Sequence, residues 1–166
     1  CGYGTPIPKV CPSCHEDSLQ DLGVGTEKIE EELKTFFPQA RVLRMDVDTM
    51  SRKGAHEKMI NSFQKKEADI LLGTQMVAKG LDFANVTLVG VINADTSLMI
   101  PDFRSSEVTF DLLSQVAGRS GRSEKEGRVY FQTYNKDHYA IRYAKENNYL
   151  KFYQEEMKIR KMMKYP

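Results

Sequence analysis

Ile70-Leu71-Leu72-Gly73-Thr74-Gln75-Met76-Val77-Ala78-Lys79-Gly80-Leu81-Asp82-Phe83 passes from an aliphatic run into glycine and polar side chains without a charged turn between them. Ile70 to Leu72 reads as a buried strand, and the change at Gly73 as its carboxyl end. In a parallel sheet that end is where ligands gather. Outward from this stretch the chain alternates. Gly23 and Gly25 lead to Thr26, an expected N-cap, with Glu27, Glu30 and Glu31 in the first turns of a helix over 26 to 36. Its apolar stripe is Ile29, Leu33 and Phe36 or Phe37, and Pro38 ends it. Leu19 to Leu22 and Arg41 to Met45 read as strands. A second helix over 53 to 66 carries Ala55, Met59, Ile60 and Phe63 on one side. Val86 to Ile92 reads as a buried strand, Ser106 to Gly118 as a helix through Phe110, Leu113 and Ala117, and Gly127 to Tyr134 as a strand. Beyond Asp137 come a helix to about Asn147 and another from Tyr149, on which Leu150, Tyr153 and Met157 suit core or interdomain packing. This alternation predicts an α/β fold, a parallel sheet with helices on both faces.

Composition sets the outer bounds. The 166 residues carry 24 Lys and Arg against 23 Asp and Glu, a formal charge of +1, so a strongly basic nucleic-acid coat is excluded while a local basic groove is not. Hydrophobic residues make up 40%, enough for one core, and Val86 to Ile92 is far short of the ~20 residues a membrane span needs. The chain begins at Cys1 with no signal-peptide pattern, and is expected to be a fragment of a larger cytoplasmic protein.

Three groups of residues could carry chemistry. All three cysteines, Cys1, Cys11 and Cys14, lie in the first fourteen residues, and Cys11-Pro12-Ser13-Cys14 has the two-residue spacing with which thiolates grip Zn²⁺. A tetrahedral site needs one more ligand, expected upstream of Cys1. His15 is the only local substitute, awkward beside Cys14, and plain reduced thiols are the bland alternative. In the loop after Ile70 to Leu72, Thr74 and backbone N–H groups could meet phosphate, Lys79 could act as a point charge and Asp82 could accept from a ribose hydroxyl. The ordinary alternative is a connecting loop. In Gln115-Val116-Ala117-Gly118-Arg119-Ser120-Gly121-Arg122, the two arginines lie three apart and the glycines permit close approach. Guanidinium forks suit phosphate oxygens, although solvated arginines at a helix end are common. His56 and Glu57, with Lys53, fit a solvated helix face.

Taken together, Thr74 to Phe83 resembles motif V and Gln115 to Arg122 motif VI of the second RecA-like lobe of superfamily 2 helicases. The resemblance is closest to the primosomal replication-restart helicases of bacteria and covers essentially the whole chain. It also includes Gly23 to Glu27, Asp48-Thr49, Lys53 to Glu57, Gly73 to Met76, Asn93-Ala94-Asp95, Pro101 to Arg104, Gln132 to Tyr134 and Tyr165-Pro166. Ser106 and Ser120 replace an expected alanine, Ala84 a common proline and His15 a common glycine.

The resemblance implies an ATP-dependent 3′-to-5′ DNA helicase that binds forked or single-stranded DNA and works with other primosome proteins and the single-strand-binding protein in replication restart. It implies a zinc segment over 1–16, a RecA-like lobe over 17–147 and a helical extension over 148–166. By the same resemblance, Arg119 and Arg122 reach the γ-phosphate of ATP, Gln115 senses it, and Gly80 and Asp82 hold the ribose. Thr74, Gln75 and Lys79 touch DNA phosphates, and Cys1, Cys11 and Cys14 bind Zn²⁺. Pro101 to Arg104 suits a brace for the helix bearing Gln115 better than a DNA channel. No Gly-x4-Gly-Lys-Ser/Thr loop is present, so ATP and Mg²⁺ are expected on another lobe, and this chain alone should not hydrolyse ATP. Two other readings stay open. One is the second lobe of a different superfamily 2 helicase, the other a noncatalytic zinc-containing adaptor in which the arginines are dispensable.

Overall fold

The computed structural model describes residues 10–16, 25–46, 54–78, 83, 85–118 and 127–166. Four short strands and six helices alternate along them: α1 (Thr26–Phe36), β1 (Val42–Met45), α2 (Ala55–Gln64), β2 (Ile70–Gly73), α3 (Gln75–Ala78), β3 (Leu88–Val91), α4 (Ser105–Ala117), β4 (Arg128–Phe131), α5 (Tyr139–Lys145) and α6 (Tyr149–Met163). The expected strand Leu19 to Leu22 lies outside the described residues.

Both strand pairings are parallel. β1 pairs with β2 from Val42 opposite Ile70 to Met45 opposite Gly73, and β3 with β4 from Leu88 opposite Arg128 to Val91 opposite Phe131. The single sheet expected from the alternation is thus, among the described residues, two separate two-stranded sheets. Each pair closes its own strand–helix–strand unit, through α2 in one and α4 in the other. Periodicity identifies such units but not which strand edges meet between them.

Helix α1 follows from its charges and its stop. Glu27 sits in the first turn, Lys34 bonds Glu30 at 2.6 Å one turn away, and Phe37 N–H closes the end on Leu33 O just before Pro38. Thr26 does not cap it. Gly25 holds that place, and the Thr26 hydroxyl donates instead to Asp46 Oδ2 at 2.9 Å, tying the helix start to the end of β1. The expected apolar stripe is only half used: Ile29 and Leu33 are half-buried, while Phe36 is 74% exposed.

The largest buried cluster sits in the second unit, while Met45 of β1 and Leu72 of β2 are the buried apolar residues of the first. Ala94, Phe110, Leu113, Ala140, Ile141, Ala144 and Phe152 form one buried cluster, with Val91 and Phe131 packed against it from the sheet. Phe110 of α4 and Phe152 of α6 stack nearly parallel at 4.1 Å. One expectation is corrected here. Val86 to Ile92 is not buried on both faces, because Leu88 is 62% exposed and residues alternate along β3, as they do along β4. On α6 the buried positions are Phe152 and Glu156, while of the three residues expected to suit core or interdomain packing Met157 is half-buried and Leu150 and Tyr153 are exposed. Among the described residues no helix is long and apolar enough to cross a membrane.

Candidate functional site

At the carboxyl end of β2 the chain makes an unusually close approach. A Cβ on Gly73 would lie 2.6 Å from the Met45 carbonyl oxygen and against the Val77 side chain, so the strand end can sit beside β1 only as glycine. The next residue, Thr74, gives its carbonyl to Val77 N–H at 3.0 Å and starts the short helix α3. Thr74 and Gln75 are both exposed there, at the end of the strand where the sequence places them. Phe83 meets the ring of Phe63 edge-on at 4.9 Å, so the far end of the same loop is anchored on α2.

Helix α4 brings the second group toward this loop, because α3 and α4 pack against each other. Phe110, Leu113 and Val116 face the core. Gln115, one position before Val116, is exposed on the last turn, and Gly118 N–H closes that turn on Ser114 O at 3.0 Å. The structure therefore joins the elements that carry Thr74, Gln75 and Gln115. Lys79, Gly80, Asp82, Arg119, Arg122 and Cys1, like Lys53, lie outside the described residues. His56 and Glu57 are exposed on α2, the solvated face expected of them.

The start of α4 is built by Pro101 to Arg104. Asp102 Oδ1 accepts from Arg104 N–H at 2.8 Å, and Ser105 N–H donates to Asp102 O at 3.0 Å. Hydrogen bonds from the Arg104 side chain, then from its backbone, hold the Asp102 carboxyl below its usual range. Phe103 stacks on Tyr165 at 5.5 Å and lies 5.2 Å from the Arg160 guanidinium. This segment braces α4 against α6.

Two further motifs named only by resemblance prove to be one structural unit. Asp95, buried at the end of β3, accepts from Thr133 Oγ1 and from Tyr134 N–H, both at 2.8 Å. The carboxylate thus locks Asn93-Ala94-Asp95 to Gln132-Thr133-Tyr134 just beyond the paired strands. The sequence signal was available as an acid after one β run and a hydroxyl after the next, but only the register matches them.

Around Cys11 the backbone folds into a tight turn. His15 N–H donates to Cys11 O at 2.8 Å and Cys11 N–H to Glu16 O at 3.0 Å. The backbone N–H of Cys14, then that of Ser13, bond the Cys11 sulfur and pull its thiol below the usual value. His15 stands at φ +60°, in the left-handed region where glycine is at ease. Among the described residues no group of three potential ligands comes together. Cys11 and Cys14 are thus the two described thiols of the expected metal-binding segment, the one half-buried and the other exposed.

An open cavity of about 520 Å³, lined by Phe36, Phe37, Pro38, Gln39, Ala40 and Asp69, lies at the amino ends of β1 and β2. That is the opposite end of the strands from Gly73 and Thr74, and it gathers none of the residues expected to act.

Comparison with known proteins bears on the whole arrangement. Residues 18–124 match the family described as the helicase conserved C-terminal domain. The chain is similar to the replication restart protein PriA of Bacillus subtilis, 58% identical over 166 residues covering 100% of this chain and 21% of that protein. It is also similar to replication restart protein PriA of Synechocystis, at 47% over 100% of this chain and 20% of that protein. For the protein of the same name in Borreliella burgdorferi the identity is 42%, over 100% of this chain and 25% of that one. The chain thus spans about a fifth to a quarter of the length of these relatives.

Proposed function

Because the chain belongs to the helicase conserved C-terminal domain family, we propose that it is the second motor lobe of an ATP-dependent 3′-to-5′ DNA helicase acting in replication restart. One observation carries this reading: the family match takes in both Gly73 to Phe83 and Gln115 to Arg122. The likeness along the full chain to proteins named for replication restart adds the biological setting.

ATP and Mg²⁺ bind on a P-loop lobe elsewhere in the full-length protein. Arg119 and Arg122, which follow the end of α4 in sequence, approach the γ-phosphate across the interlobe cleft and stabilise the charge that develops during transfer. Removing such a finger costs on the order of 10³ to 10⁵ in rate. Gln115, exposed on the last turn of α4, sits at the γ-phosphate or the attacking water, and Gly80 and Asp82 hold the ribose. Thr74 and Gln75, exposed at the carboxyl end of β2, and Lys79 hold DNA backbone phosphates, contacts that position a strand without reading its bases. The packing of α3 on α4 supports coupling between the two sets.

For zinc, Cys11 and Cys14 supply two thiolates from one knuckle and Cys1 a third. When bound, the metal cross-links this segment and supplies folding energy. Forked or single-stranded DNA, other primosome proteins and the single-strand-binding protein are the proposed partners, in the cytoplasm.

The test is strand separation by the full-length protein on forks with either a 3′ or a 5′ tail, with and without ATP. ATP-dependent unwinding of the 3′-tailed strand supports the assignment. No ATP-dependent unwinding on any DNA, while zinc content is intact, turns the reading toward the adaptor.

A further inference from the structure

Helix α4 is held by two kinds of contact. Along its middle, Phe110 and Leu113 face an apolar cluster. The nearly parallel stack of Phe110 on Phe152, tilted by only 7°, resists separation but opposes sliding weakly, because apolar contact is non-directional. At its start the contact is directional. Arg160 of α6, with a side chain only 13% exposed, donates from Nη2 to Glu107 Oε2 of α4 at 2.6 Å and from Nε to Glu156 Oε1 at 2.7 Å. Glu156 in turn accepts from the Tyr139 hydroxyl of α5 at 2.6 Å. Arg160 Nη1 also reaches Pro166 O at 3.3 Å, and its guanidinium lies by the Phe103 ring. One side chain therefore ties α4, α5, α6 and the turn that begins α4. Gln115 stands about two turns beyond Glu107 on the same helix, roughly 12 Å along its axis.

We propose that Arg160 is a positioning residue for the motor, fixing the axial register of α4 through Glu107 and so setting where Gln115 meets the nucleotide. The inference rests on the motor reading above. Arg160 is largely covered while Glu107 is nearly half exposed, so the pair adds little net stability, and its fork geometry bears on where the two helices sit against each other. An ångström-scale misplacement at a reacting centre costs up to ~100-fold in rate.

The experiment is DNA-stimulated ATP turnover by the full-length protein carrying Glu107→Gln, Arg160→Lys or, in parallel, Arg122→Ala, with thermal melting of each. Glu107 is nearly half exposed, and its amide variant leaves the Arg160 to Glu156 bond in place, so Glu107→Gln keeps the fold. The expected result is a fall in kcat of about tenfold, with KM for DNA unchanged and Tm within about 3 °C of the parent. Arg160→Lys, which keeps the charge but loses the fork, shows the same split. A Glu107→Gln enzyme with unaltered kcat, beside an inactive Arg122→Ala, overturns the positioning role and leaves the motor reading standing. An active Arg122→Ala overturns both.

Discussion

The two strand–helix–strand units are alike in connection and unlike in what holds them. Between β1 and β2 neither flanking helix has a buried residue. Polar clips do much of the joining. Arg41 chelates Asp69 through Nε and Nη2, each at 2.9 Å, at the amino ends of the strands, and Arg44 gathers Glu27, Glu30 and Asp46 at 3.0 to 3.5 Å near their carboxyl ends. Between β3 and β4, α4 lies in the apolar cluster shared with α5 and α6, and its ionic contacts anchor one end of an already buried helix. A shared topology thus leaves cohesion open. The first unit presents a strand end and a loop, the second a rigid helix whose tip carries Gln115.

Substitutions should separate the units sharply. Phe152→Ala removes a ring from the center of the second core and should cost about 3–5 kcal/mol in denaturant melts of the chain. A loss under about 1 kcal/mol would mean that the cluster relaxes around the gap. In the first unit the most sensitive position should be a glycine. Gly73→Ala drives a methyl onto the Met45 carbonyl and should cost about 1–3 kcal/mol by overpacking. Gly54, at φ +81° before α2, should lose about 1–2 kcal/mol on change to alanine through backbone strain alone.

Strong acid should loosen the Arg41–Asp69 clip of the first unit. Hydrogen bonds from the Arg41 side chain and backbone lower the Asp69 carboxyl from 3.8 to about 2. Its contribution is therefore present above pH 3.8 and lost as pH falls toward 2. Asp69→Asn should abolish that part of the acid titration, and because the pair is exposed, added salt should shrink it. A titration unchanged by Asp69→Asn would detach the clip from stability. The smallest effect should be at Phe36, exposed on α1, where alanine should change stability by no more than about 0.5 kcal/mol.

Much of this was legible in the sequence. The helices α1, α2, α4, α5 and α6 and the strands β1 to β4 all fall within a few residues of the periods that announce them, because Pro38, Gly73 and Gly118 mark ends with real backbone consequences. Burial was less legible. Val86 to Ile92 is hydrophobic enough for a doubly covered strand, yet Leu88 faces outward, since apolar content reveals a preference and not which neighbours arrive. On α6, Leu150 and Tyr153 have the spacing of a packing stripe, yet it is Phe152 that enters the apolar cluster and Arg160 that meets Glu107 of α4. The site divides similarly. Thr74, Gln75 and Gln115 stand where strand and helix ends place them, whereas Asp95 and Arg160 act across distances in sequence that no local spacing reports.

The arginine role is tested by DNA-stimulated ATP turnover of the full-length protein carrying Arg122→Ala, against the unaltered enzyme. Turnover should fall by about 10³ or more with DNA affinity and melting temperature retained. Near-normal turnover would contradict it, because the lobe would then supply no arginine to the reacting phosphate.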